Sequence, residues 1–557
     1  MKSFILLVLI SIILLGFVPD KKNADSETMR SPENQVFQFM QTDTCRDWAD
    51  GSQTQATAYL WIPENCQKLR GLLIMCTNVP EHMLVGHPAI RKACSNNNLG
   101  IIWCTPSFMN FRKSTASDGR TINMALEYKT ITAFLQKLLN GLAKTSGYSE
   151  VATVPWLPMG ESGHLLMVDA LVENNPERCI AGIWIKNNHF PPKNRITPAL
   201  VVFGSAQEWG QDKTDISSQW NNVGDAYNYV LNERGKNPTW PLSYVIDGNS
   251  GHFDCSERLV NYFARYIDLV SKARLSHGDT LNRVDLRKGF VVDLPVPGHE
   301  NHRVKAYSGI SSTECSVPWY FSKDQAKEAQ SIASINWNAE TQLPAFLTDS
   351  GKVAPFSFNG ISKVTPIHFE ADGITFTVKG TMLDKLPDNF YKAGKNLPQS
   401  AGPVETEWVC GQFKPLGNSR FQIALDRSWN STANYLGIRK KGNNKIREIF
   451  QPCGLTLQKN NEGKPQVIIF QKIPDVPAGT RTLRLSAHSD AGLPVKFFVV
   501  SGPAIIKNDQ LIFTKIPPRT IFPVAVTVAA WQWGRNTEPK VKTANLVKQT
   551  FYIFPFK

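Results

Sequence analysis

The chain lacks any Cys-x-x-Cys pair, and its ten cysteines stand singly between positions 45 and 453. Thioredoxin-like redox chemistry and zinc-ribbon sites need closely paired thiols, so neither is expected. The cysteine count is far below that of a disulfide-built mini-protein, although an even number permits some bridges in an oxidising compartment. Spaced metal ligands are lacking too. His82/His87 and His299/His302 have no third ligand nearby, and both pairs read as loop histidines. No metal or cofactor is expected. Nucleic-acid-binding motifs are likewise absent, and an export signal would take the chain away from nucleic acid.

That signal is the first positive feature. Lys2 supplies a short positive region, and Phe4 to Val18 is almost wholly apolar, too short to span a bilayer comfortably but suited to a signal sequence. Residues 1–22 are read as this signal, which sends the protein to the periplasm or outside the cell. A small-x-small cleavage site is missing, and no cysteine follows the apolar run, which argues against a lipoprotein anchor. The formal net charge is +14, an excess that favours a polyanionic partner. At 557 residues the chain is too long for one core.

Between about Val36 and Leu275, short apolar runs alternate with amphipathic stretches, the pattern of a sheet covered by helices. Ala58–Ile62 and Gly71–Met75 read as neighbouring strands joined by a polar turn. Leu99–Cys104, Val154–Met159, Ile180–Ile185, Pro198–Phe203 and Leu242–Ile246 read as further strands. Tyr128–Ala143, with Ile131, Phe134, Leu135, Leu138 and Leu139 at helical spacing, reads as an amphipathic helix. Pro88–Cys94 and the stretch from Asp254 to Leu269 read as helices as well.

One stretch organises this part. The strand Val154–Met159 runs into Gly160-Glu161-Ser162-Gly163-His164, and a helix-like stretch follows from Leu165. A serine on a tight strand-to-helix turn has its oxygen clear of the sheet, with helix amides aimed at the place where negative charge develops during acyl transfer. His164 stands where the strict pattern has glycine, which puts a β-carbon into a crowded contact; it reads as packed beside the turn rather than as a second base. Two later strands also end in reactive side chains: Glu208 and Asp212 follow Phe203, and His252 lies in Asp247-Gly-Asn-Ser-Gly-His252 before a helix. In an open α/β sheet, all three candidates fall on the carboxyl edge of the strands.

The order serine, acid, histidine, with the serine on an elbow and the histidine in a glycine-flanked loop, resembles the α/β-hydrolase superfamily. The resemblance implies a nucleophile at Ser162, a base at His252 and an orienting acid at Glu208, with Asp212 second and Asp215 distant. It also implies an oxyanion hole from the amide of Gly163 and one from the loop after Cys76, at Asn78 or Thr77. Substrate contacts are expected from Glu161, Lys186, His189 and Trp209. Trp156, Trp184 and Trp209 could stack on sugar rings or fill the core.

After about Ser276 the alternation gives way to short period-2 runs rich in Pro, Gly, Asn and aromatics, which read as β-sandwich modules. The expected organisation is an α/β-hydrolase domain over 33–275, mostly parallel with helices on both faces. A β-rich accessory domain over 276–478 and a small β-sandwich over 479–557 follow it. The β-rich part is similar to accessory modules beside secreted bacterial polysaccharide-degrading enzymes. The basic run Arg439–Arg447 reads as a hairpin tip, either a charged sheet edge or a contact for an anionic polymer.

The connection between the strands near Ile180 and Pro198 is short, leaving little room for a lid, so the site suits a polymer. The whole resembles secreted carbohydrate esterases of the pectin methylesterase and acetylesterase kind. The expected function is a serine esterase that cleaves methyl or acetyl esters on an acidic, pectin-type polysaccharide, with no membrane partner beyond export. The other classes left open are a non-catalytic glycan-binding protein with a decayed hydrolase module, and a serine peptidase.

Overall fold

The computed structural model describes residues 35–556 apart from 47–52, 108–123, 187–193, 206–218, 277–279, 297–298, 300–302, 335–338, 357–360, 389, 391–392, 430 and 432. The expected signal, Glu208, Asp212, Asp215, Trp209, His189 and His302 lie outside the described residues.

Eight strands form the large sheet: β1 (Phe39–Arg46), β2 (Gln53–Trp61), β3 (Gly71–Cys76), β4 (Leu99–Thr105), β5 (Trp156–Glu161), β6 (Gly182–Ile185), β7 (Ala199–Gly204) and β8 (Leu242–Asp247). Their order is β1-β2-β4-β3-β5-β6-β7-β8. β1 and β2 join antiparallel, and every pairing from β4 to β8 is parallel. Strands β3 to β8 are buried along their whole length. Their near-continuous apolar runs are what a parallel sheet covered on both faces requires. This is the mostly parallel α/β-hydrolase sheet that the sequence implied.

One adjacency differs from the expectation. The two strands read as neighbours, now β2 and β3, are separated by β4. The reason lies in the crossover: β3 feeds the helix Pro88–Asn96, and the chain returns as β4 beside β3 on its outer side. The eight residues Pro63–Arg70 are enough to step past one strand, a lateral distance of about 10 Å. The next connection runs the other way, placing β5 on the opposite side of β3. The connection order therefore reverses between β3 and β5, the kind of point outside whose carboxyl strand ends open α/β sheets bind ligands.

Packing against the large sheet does not stop at 275. Ser243 Oγ on β8 donates to the carbonyl of Trp319 at 2.7 Å, and Tyr320 Oη donates to the carbonyl of Tyr244 at 2.7 Å. The helix Lys323–Ala333 lies over β8 and the helix Glu257–Arg274. Beyond it come two β-rich groups. The first combines a four-stranded sheet (Ser362–Val364, Ile449–Leu455, Tyr435–Lys440, Thr406–Cys410) with three- and two-stranded sheets. Phe376, Phe413 and Phe421 fill its middle, with ring centroids 5.5–5.8 Å apart. The second repeats the pattern around Val524–Trp531 and Val547–Phe554.

The basic run is a hairpin as read, but three of its cations are spent inside the protein. Arg439 pairs with Asp254, buried Lys440 donates to the carbonyls of Ala401, Gly402 and Pro403, and Arg447 Nε donates to the carbonyl of Ala339. Lys441 and Lys445 are exposed. The nine cysteines whose side chains are described form no disulfides. No helix among the described residues is long and apolar enough to cross a membrane.

Candidate active site

Strand β5 ends at Glu161, and the chain turns at once into the short helical turn Ser162–His164 and the helix Leu165–Asn174. Ser162 has φ 52°, in the left-handed region that a residue with a β-carbon occupies only under constraint. This strained turn is the elbow read from the sequence. Its close contact is at Gly160, where a β-carbon would lie 2.8 Å from the carbonyl oxygen of His164. The crowding therefore falls on position 160, which is glycine, while position 164 accommodates an imidazole. Burial pulls the His164 imidazole down to about 4, so it is neutral at physiological pH.

His252 is carried by the loop after β8. Its Nε2 lies 2.9 Å from Ser162 Oγ, within hydrogen-bond reach, although the two residues are 90 positions apart. The ring is buried, whereas Ser162 is half-buried and Gly163 exposed, so the serine can be reached from solvent. Ser162 and His252 thus converge. Glu208, the expected acid, and its alternate Asp212 lie outside the described residues.

One buried acidic side chain crowds the pair, and a second stands behind it. Glu161 is fully buried, and its Oε1 lies 3.2 Å from the same Nε2 of His252. Asn78 Nδ2 donates to the Glu161 carbonyl at 3.0 Å and to its Oε2 at 2.5 Å. Behind it Glu81 Oε1 accepts the Glu161 amide at 2.7 Å. Burial pushes the Glu81 carboxyl up to about 8, so it is mostly protonated at neutral pH. Glu81 escaped the sequence reading because its helix, Val79–Leu84, has only six residues and no clear periodicity.

Of the two second-amide candidates, Thr77 is occupied: its N–H donates to the Cys104 carbonyl at 2.9 Å. Asn78, in extended conformation at the start of that short helix, stands next to Glu161 and the elbow.

Lys186 does not face a substrate. It is fully buried at the end of β6, with φ 48°, and its ammonium forms a 2.9 Å ion pair with Asp247. It also donates to Ser250 Oγ and the Gly251 carbonyl, both at 2.7 Å, and to the Asp254 carbonyl. An ammonium aimed inward binds the histidine loop instead of a ligand. Trp156 and Trp184 are core residues too: Arg178 lies 3.8 Å over the Trp156 ring, and Trp184 Nε1 donates to Asp169 at 2.8 Å. Neither offers a face to a sugar.

Two of the histidines read as loop residues serve helices instead. His82 sits in the helix Val79–Leu84, buried, with Nε2 2.7 Å from Asp426 and Nδ1 accepting the Gly411 amide at 3.2 Å. His87 caps the helix Pro88–Asn96 by accepting the Ala89 amide. His299 lies in a loop, 3.0 Å from Asp293. Among the described residues no cluster of three or more His, Cys, Asp or Glu could hold a metal ion.

No family model matches the sequence, and no curated protein matches it. Among solved structures the chain is similar to an alpha-beta serine hydrolase homologue from Coxiella burnetii, at 15% identity and TM-score 0.25, covering 41% of this chain and 95% of that one. It is also similar to an S-formylglutathione hydrolase from Agrobacterium tumefaciens, at 13% identity and TM-score 0.27, covering 42% and 95%. A poly(3-hydroxybutyrate) depolymerase from Bordetella parapertussis is similar at 10% identity and TM-score 0.28, covering 43% and 92%.

Proposed function

We propose that this chain is an exported serine esterase that removes methyl or acetyl groups from an acidic, pectin-type polysaccharide. The observation that carries the reading is the 2.9 Å approach of Ser162 Oγ to His252 Nε2 on an elbow held at positive φ. In this reading His252 takes the serine proton as Oγ attacks the ester carbonyl, and the amides of Gly163 and Asn78 meet the developing oxyanion. The imidazole then returns the proton to the leaving alcohol, and water releases the acyl group by the same steps. Glu208 is the preferred acid behind the imidazole, with Asp212 the alternative.

The accessible serine suits a polymer chain lying across the carboxyl edge of the sheet, and the +14 charge favours an acidic one. The buried Glu161 carboxylate beside the nucleophile disfavours a free carboxylate there, so the unit bound at Ser162 is an esterified one. A decayed glycan-binding module is the weaker reading, because nothing would then maintain a strained serine against an imidazole. Methanol and acetate release from methylated and acetylated pectins decides the matter. One product names the ester; neither product, with an inert Ser162 towards a fluorophosphonate, overturns the proposal.

A further inference from the structure

The loop that carries His252 is gripped from two sides. From inside, Lys186 ties Asp247 to Ser250, Gly251 and Asp254. From outside, the grip comes from the β-rich half. Arg439, on the strand Tyr435–Lys440, makes a two-pronged ion pair with Asp254: Nη2 donates to Oδ1 at 2.5 Å and Nη1 donates to Oδ2 at 3.1 Å, across 185 positions. Ser250 Oγ donates to the same Asp254 Oδ2 at 2.7 Å. Glu407 at 3.0 Å and Glu448 at 3.7 Å fix the guanidinium, which lies 4.9 Å over the Phe450 ring. From the same strand Tyr435 stacks on Phe253 of the loop, with centroids 5.0 Å apart and planes 8° apart.

A two-pronged arginine contact sets orientation as well as distance. Asp254 is two residues past the base, so its freedom is transmitted to the imidazole through two peptide units. Displacement of a catalytic group by about 1 Å costs on the order of a hundredfold in rate.

We propose that the β-rich module is part of the catalytic unit, with Arg439 and Tyr435 acting as positioning residues that hold the His252 loop in register with Ser162. The proposal rests on the serine-hydrolase reading of Ser162 and His252, though not on the identity of the substrate.

The test compares the full chain with its Arg439→Ala, Arg439→Lys and Tyr435→Leu variants, each kept well below its melting temperature. Three quantities are read: the rate of Ser162 labelling by a fluorophosphonate, kcat and KM on p-nitrophenyl acetate, and hydrogen exchange in residues 248–254. For Arg439→Ala the labelling rate and kcat are expected to fall at least tenfold, KM to change less than twofold, and exchange in the loop to rise. Arg439→Lys recovers part of the loss, and Tyr435→Leu shows a smaller loss of the same kind, which carries the test if Arg439→Ala does not fold. Folded variants that melt earlier yet label at the wild-type rate overturn the proposal, since the contact then only glues modules together. Failure of the wild-type chain to be labelled overturns the hydrolase reading itself, and the loop exchange shows separately whether Arg439 orders the loop.

Discussion

Glu81 Oε1 accepts the backbone amide of Glu161 at 2.7 Å, so a fully buried carboxyl supports the residue just before Ser162. Burial holds Glu81 near 8 against an ordinary value of 4.5, so the folded protein keeps a proton that the unfolded chain gives up. The stability linked to this proton is complete below about 4.5 and drains away as pH rises towards 8. Glu81→Gln keeps the acceptor oxygen without the charge. Its melting temperature is expected to match wild type at pH 5 and exceed it by several degrees at pH 8.5, as read by calorimetry. An equal gap at both pH values would contradict the assignment.

The elbow stores strain in Ser162. Ser162→Ala and Ser162→Gly both remove the hydroxyl proposed as nucleophile, and ester turnover is expected to fall by at least about a thousandfold in each. They separate on stability. Glycine accepts φ 52° without penalty and alanine does not, so the glycine variant is expected to unfold at higher urea, with about 1 kcal/mol in its favour. Equal midpoints would mean that the turn is not under strain.

Gly160 has no room for a methyl group. A β-carbon there meets the His164 carbonyl at 2.8 Å and a Val168 methyl at 3.1 Å. Gly160→Ala must push the elbow off its strand, at a cost of about 1–3 kcal/mol. Thermal melts should show that loss, and fluorophosphonate labelling should slow by at least tenfold because the serine moves with the turn. Normal labelling in a destabilised variant would separate the turn from the chemistry.

Lys186 and Asp247 are both fully buried, so neither can lose its partner cheaply. Lys186→Met leaves Asp247 without its ammonium and is expected to cost about 3–5 kcal/mol in chemical denaturation. The double variant Lys186→Met, Asp247→Leu should lose clearly less than the sum of the single losses. Additive losses would show that the pair is not coupled.

The large sheet was legible because buried parallel strands are written as unbroken apolar runs, as in Gly71–Met75 or Leu99–Cys104. Strand β1, Phe-Met-Gln-Thr-Asp-Thr-Cys-Arg, was not read as a strand: it is an edge strand of mixed exposure, and its residues carry no long apolar run. Ser162 and His252 could be found because a tight turn and a glycine-flanked loop leave local marks. The roles of Glu81, Lys186 and Arg439 could not. A lysine at a strand end reads the same whether it points out to a ligand or inward to Asp247, and local sequence does not hold the difference. Arg439 looked like part of a charged tip because its partner, Asp254, lies in another module.

His82 reaches its carboxylate partner, Asp426, across 344 positions of chain, and both side chains are buried. A ribosome therefore delivers the helix beside the Ser162 turn long before it delivers the group that anchors that helix. During synthesis Ser162 and His252 exist ahead of the scaffold that steadies the helix beside them, and that helix gains its buried anchor only when the last third of the polypeptide is being made.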